Sequence, residues 1–185
     1  MNKSTYNLIV TVLVLVIVIG GGMLLYRDLQ DDVVLDVPGE TQDPNAELAP
    51  DFTVQDSSDG VWKLSDFRGK PVVLNFWSST CPPCMEEMPL FQQFWEKYGS
   101  EVEFMIVNLT DGYNDTFASA MEVVTENEYT FPVYFDTAME GAIAYSIRSM
   151  PMTFFIDSNG VIVTEYLGML TEETLEAGIQ GILAD

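Results

Sequence analysis

Cys81 and Cys84 are the two cysteines of this 185-residue chain, and they fall within one phrase, WSSTCPPCMEEMP, residues 77–89. Two thiols at this spacing can close and reopen a disulfide. The attacking species in such an exchange is the thiolate, and a free cysteine is mostly thiol near neutral pH. A helix N-terminus favours the anion, because its first N–H groups lack partners and the macrodipole is positive there. The phrase predicts that location. A continuous apolar run, PVVLNFW, reads as a buried strand leading in, and MEEMPLFQQFWEKYG reads as an amphipathic helix leading out. Pro82 and Pro83 suit a first helical turn, where proline gives up only an N–H that had no partner. Cys81 is thus placed to attack a partner disulfide, and Cys84, one turn further in, to resolve the mixed disulfide.

Two plainer readings of the pair compete. A structural zinc site takes four ligands, and this chain has no histidine and no third cysteine. An inert structural disulfide would close a loop of only four residues and constrain the unfolded chain little. Redox exchange is the reading the spacing favours.

The elements that must position the pair follow from pattern. Phe52 to Gln55 and Val61 to Leu64 form a hairpin around SSDG, and Val72 to Phe76 form the central strand. The motif helix runs from about Cys84 to Tyr98, with a kink expected at Pro89. Val102 to Leu109 is a second buried strand. Asn114 or Asp115 caps a helix reaching about Asn127. Phe131 to Phe135 is a strand and Glu140 to Ile147 a short helix. Thr153 to Asp157 and Val161 to Tyr166 pair around Ser158-Asn159-Gly160. Thr171 caps the last helix, whose first turn carries Glu172 and Glu173, while Thr174 leaves the capping box incomplete. Strands alternating with helices, then a closing hairpin and helix, give an α/β class with a mixed sheet flanked by helices.

The N-terminus adds a different segment. Leu8 to Leu25 reads LIVTVLVLVIVIGGGMLL without a charge, long enough to span a bilayer. Tyr6 and Tyr26 flank it, and Lys3 against Arg27 gives a weak orientation signal. No A-x-A-like cleavage site follows, so residues 1–27 read as an uncleaved signal-anchor, a single transmembrane helix. Residues 28–48 are acidic and hold two prolines, which makes a tether, with a short strand conceivable over Val33 to Val37. Residues 49–185 are the folded domain. Export of that domain, retained or cleaved, puts it where disulfides persist.

Charge excludes one class. Seven basic against 29 acidic residues give a formal net charge of −22, so no nucleic-acid footprint is present. Met121, Met139, Met152 and Met169 carry no metal-site spacing, and no metal ligand set is expected.

Residues 49–183 resemble the membrane-anchored TlpA/ResA-like branch of the thioredoxin superfamily. The resemblance rests on APDFTVQDSSDGVWKLSDFRGKPVVLNFWSSTCPPC, FPVYFD and SMPMTFFIDSNGVI. It implies a thioredoxin-like fold with an N-terminal β-hairpin and a central helix–strand insert between Asn114 and Phe135. It implies a cis-proline at Pro151, with Met150 against Cys81 and the adjoining backbone pairing with substrate. Glu87, three residues after Cys84, occupies a position where the family often has a glutamate near the pair, so it is a candidate for proton exchange with Cys84. Cys81, Cys84 and Glu87 are then the catalytic candidates, and Trp77, Pro82, Pro83, Met150 and Pro151 the substrate-contact candidates. Two departures matter. Asn75 stands where many thioredoxins have a buried aspartate, and an amide is no general base. Met85 stands where a basic residue is common.

The resulting expectation is an extracytoplasmic, single-pass thiol–disulfide oxidoreductase of the cell membrane. It would reduce exported proteins, apocytochrome c among them, with electrons from an integral-membrane thiol donor and no cofactor beyond its own disulfide. A peroxiredoxin-like peroxidase, which shares an APDF-like opening, and a Cu(I) carrier for an exported cuproprotein are the rivals. The first needs a peroxidatic cysteine with Pro, Thr and Arg around it; the second, in related copper-assembly proteins, uses a histidine.

Overall fold

The computed structural model of the chain describes residues 47–184. The expected anchor, most of the tether and the conceivable strand at Val33–Val37 lie outside these residues. No described helix is long and apolar enough to cross a membrane.

The elements are β1 (Thr53–Asp56), β2 (Val61–Lys63), a 3-10 turn (Leu64–Phe67), β3 (Val72–Trp77), α1 (Pro82–Tyr98), β4 (Glu103–Asn108), α2 (Phe117–Glu126), β5 (Val133–Phe135), α3 (Glu140–Ala144), β6 (Met152–Ile156), β7 (Ile162–Leu167) and α4 (Glu172–Leu183). The seven strands form one sheet in the order β2-β1-β5-β4-β3-β6-β7. β3, β4 and β5 are parallel to their neighbours in that trio, and the outer pairs are antiparallel. The mixed sheet and both expected hairpins are therefore present, as is the helix–strand insert, α2 with β5.

Every residue of β3 is buried, which explains why its sequence shows no polar alternation. Alternate side chains still part to two cores. Val73 and Trp77 join Cys84, Met88, Phe91 and Phe94 of α1 and Ile179 of α4 on one face. Leu74 and Phe76 join Phe52, Met105, Phe154 and the short α3 on the other. By the same alternation Asn75 points to the α1 side, toward the helix that carries the cysteines.

Sequence and structure part at several boundaries. α1 begins at Pro82, two residues before the expected Cys84, because both prolines are accepted in its first turn. α2 is capped by Thr116, not by Asn114 or Asp115. Thr116 Oγ1 accepts the Ser119 N–H at 3.1 Å, and the Ser119 hydroxyl returns to the Thr116 N–H at 2.9 Å. At the other end of the domain, Leu48 bridges Val161, and the Glu47 carbonyl accepts the Ile162 N–H at 2.9 Å. Pairing with the β6–β7 hairpin thus already involves the last residues assigned to the tether.

Candidate active site

β3 delivers the chain to the site, and Ser78-Ser79-Thr80 turns it into α1. Cys81 is the N-cap of that helix in extended conformation, and its Sγ accepts the Cys84 N–H at 3.3 Å. Cys81 and Cys84 are joined by a disulfide of 2.08 Å, with Cα atoms 5.3 Å apart. Cys84 is fully buried, whereas Cys81 is only partly covered. The two sulfurs are therefore unequal. Cys81 is open to a partner and sits at the positive end of a 17-residue helix. Cys84 is reachable through Cys81.

Pro82 and Pro83 are exposed beside the disulfide. The Met150–Pro151 peptide is cis, as expected from the resemblance. Met150 is partly buried, and it, Cys81 and Met85 pack against the same core cluster. Pro151 holds the β7 end through its carbonyl, which accepts the Gly168 N–H at 2.9 Å. Trp77 differs from expectation. Its side chain is fully buried, so it supports the disulfide from within the core and presents no surface to substrate.

Glu87 is the unusual group. It lies one turn after Cys84 on the same helix face, yet only 2 % of it is exposed. Adjacent Glu86 is exposed. The Glu87 carboxylate accepts the Asn75 amide at 3.1 Å and the Leu170 backbone N–H at 3.0 Å. Burial pushes its pKa up to about 7, against the opposing pull of those two donors. Asn75 also donates to Thr153 Oγ1 at 3.0 Å, its cross-strand partner on β6. The amide that replaces an acid here therefore holds the acid that follows Cys84.

Sequence reasoning assigned Asp115 to a helix cap. In the structure it is buried and, besides donors at the start of α2, it takes the Ser79 N–H and hydroxyl, both at 2.6 Å, two residues before Cys81. A contact spanning 36 positions leaves no local signature, and Asn114 and Asp115 read equally well as caps.

No group of side chains suited to hold a metal ion occurs among the described residues. The chemistry present is thiol–disulfide exchange with an acid of near-neutral pKa one turn away. A peroxidatic arrangement calls for an arginine at the cysteine. Of the two arginines among the described residues, Arg68 lies over Gly160, in the turn at the opposite end of β6 from Pro151, and Arg148 makes no hydrogen bond or ion pair with the cysteine turn.

Residues 46–165 match the AhpC/TSA family. A thiol-disulfide oxidoreductase ResA of Geobacillus kaustophilus is 30% identical over 183 residues, covering 98% of this chain and 99% of that one. Among solved structures, a candidate DsbE-type thiol:disulfide interchange protein from Chlorobium tepidum is 34% identical with a TM-score of 0.65, over 75% of this chain and 95% of its own. StoA from Bacillus subtilis is 26% identical with a TM-score of 0.62, over 71% and 97%.

Proposed function

Given that this chain belongs to the thioredoxin-like AhpC/TSA family, and within it to the ResA-like thiol–disulfide oxidoreductases, we propose that it is a membrane-tethered reductant of disulfides in exported proteins. It is a thiol–disulfide oxidoreductase of the ResA, StoA and DsbE type, and its redox-active cysteines work without a cofactor. The observation that carries the roles of the two cysteines is their inequality: a partly covered Cys81 at a helix N-terminus against a fully buried Cys84.

In this reading the Cys81 thiolate attacks one sulfur of a substrate disulfide and expels the other as thiolate. The Cys84 thiol loses its proton to Glu87 and attacks Cys81 Sγ. The substrate leaves with two electrons, and the Cys81–Cys84 disulfide remains. Met150, the Pro151 backbone and the exposed Pro82-Pro83 corner form the surface on which an extended substrate segment lies. The reductive direction, apocytochrome c as a substrate and an integral-membrane thiol donor come from the family resemblance. The uncharged Leu8–Leu25 segment supports a retained anchor with the domain outside.

One experiment tests both parts. Full-length Cys84→Ser and Cys81→Ser chains are expressed in cells, and membranes are washed with alkaline carbonate. Cys84→Ser is expected in the pellet, carrying mixed disulfides with exported proteins, while Cys81→Ser carries none. Trapping by Cys81→Ser would reverse the assignment. A washed-out product beginning near residue 25 would remove the anchor.

A further inference from the structure

The insert, α2 with β5, has no evident part in the exchange, yet one buried side chain at its start reaches the cysteine loop. Asp115 is 2 % exposed and its carboxylate gathers five donors. Oδ2 accepts the Ser79 N–H at 2.6 Å and Asn108 Nδ2 at 2.8 Å. Oδ1 accepts the hydroxyls of Ser79 at 2.6 Å and Ser119 at 2.7 Å, and the Thr116 N–H at 3.0 Å. These donors come from three places: the loop before Cys81, the end of β4, and the first turn of α2.

None of the five partners is charged. Asp111 adjoins this network, its carboxylate accepting the Asp115 N–H at 3.1 Å. Burial raises the Asp115 carboxyl, but the Ser79, Asn108 and Ser119 donors outweigh it and leave the pKa below the ordinary value. Asp115 is therefore an anion at neutral pH. A carboxylate has about four lone-pair sites and accepts at all of them, whereas an amide would turn two donors toward donors.

Apart from the Ser79–Asp115 bonds, the hydrogen bonds of the loop are internal. Within it, Ser78 Oγ meets Thr80 Oγ1 at 2.9 Å, the Thr80 N–H reaches Ser78 Oγ at 3.2 Å, and the Cys81 N–H reaches the Ser78 carbonyl at 3.1 Å. Among the described residues, the side-chain tie from this loop to the rest of the fold runs through Ser79 to Asp115. Cys81, whose Sγ accepts the Cys84 N–H, follows Ser79 by two residues.

We propose that Asp115 is a positioning residue for Cys81: it clamps Ser79 to the start of the inserted helix and so sets the stability of the Cys81 thiolate and the redox poise of the pair. This rests on the exchange chemistry proposed above. Loss of the clamp by itself should loosen Sγ from the helix N-terminus and raise the Cys81 thiol pKa. Loss of the negative charge by itself should lower it. The two effects have opposite signs, so they separate.

The test uses the full-length chain in detergent with Asp115→Glu, Asp115→Asn and Ser79→Ala. Asp115→Glu keeps the charge and lengthens the reach; Ser79→Ala keeps Asp115 and removes one of its bonds. Ser65→Ala, which deletes the Ser65–Asp51 bond in the 3-10 turn after edge strand β2, is the control for general destabilisation. Cys81 alkylation is followed against pH in a Cys84→Ser background, and the equilibrium of the intact pair with glutathione is measured separately. Asp115→Glu and Ser79→Ala should each raise the midpoint of Cys81 alkylation and change the glutathione equilibrium constant by roughly threefold or more. Ser65→Ala should change neither. If Asp115→Glu and Ser79→Ala match the parent while Asp115→Asn alone lowers the midpoint, the carboxylate acts only as a charge and the proposal fails. It also fails if Ser65→Ala moves the readouts equally. Should the Asp115 variants not fold, Ser79→Ala decides. A parent chain that reduces no protein disulfide would overturn the proposed function, while the alkylation profiles would still judge the clamp.

Discussion

Glu87 shows how far a residue's neighbours in sequence can mislead. Glu86 and Glu87 look alike in MEEMP, and a helix surface was the ordinary place for both. The fold sends Glu86 to solvent and Glu87 against Asn75 and the Leu170 backbone. Its raised pKa has a definite stability consequence. The folded value of about 7 lies above the ordinary 4.5. The protonated group is favoured by the fold, so its contribution is complete below about pH 4.5 and is lost as pH rises through about 7. Full loss is on the order of 3 kcal/mol. Glu87→Gln cannot ionise and escapes that loss. Relative to the parent, it should gain about 2 kcal/mol in urea unfolding between pH 5 and pH 8. Glu86→Gln should show no such gain. The same Glu87→Gln change should slow resolution by Cys84 and lower the thiol pKa, since a nearby negative charge is gone. A stability difference independent of pH would mean that Glu87 is not held near neutrality.

At the scale of elements, the cysteine turn, both hairpins and the Thr171 cap were readable, because each is written in consecutive residues. Thr171 Oγ1 does accept the Thr174 N–H at 3.2 Å. What escaped were contacts between elements. The burial of Trp77, the Asn75–Glu87 bond and the Asp115 clamp all depend on which strand lies against which helix. α4 gives a measurable case. Glycine inside a helix costs about 1 kcal/mol relative to alanine, yet α4 carries two, Gly178 and Gly181. A Cβ at Gly178 would come within 2.3 Å of the buried Phe155 ring, whereas at Gly181 the nearest atom, on Val163, is 3.8 Å away. Gly178 is therefore what lets α4 lie close on β6. Gly178→Ala should destabilise by about 1 to 3 kcal/mol, the ordinary cost of overpacking. Gly181→Ala should stabilise by up to about 1 kcal/mol. Thermal unfolding of the two variants side by side checks this, and a gain in both would show that the helix has room to move.

For the whole molecule, the fold class was legible because strands and helices alternate in a fixed order, and the family resemblance marked one helix and strand as an insert. The net charge of −22 described the surface but not the partner. The small ring formed by Cys81, Pro82, Pro83 and Cys84 has a wider thermodynamic meaning. A cross-link over four residues removes little freedom from an unfolded chain, about 2 kcal/mol by loop-closure entropy. Oxidised and reduced protein, each folded and unfolded, form a closed cycle. Any difference in unfolding free energy between the two forms must therefore equal the difference in potential between the folded pair and a free Cys-Pro-Pro-Cys segment, with 30 mV corresponding to about 1.4 kcal/mol. A calorimeter thus reads, without any substrate, how far folding shifts the pair toward disulfide or dithiol. If this protein reduces its partners, folding favours the disulfide, and the oxidised form should melt above the reduced one, by about 3 °C for each kcal/mol. If the reduced form melts higher, the fold stores its stability in the dithiol, and the protein is built to give disulfides away.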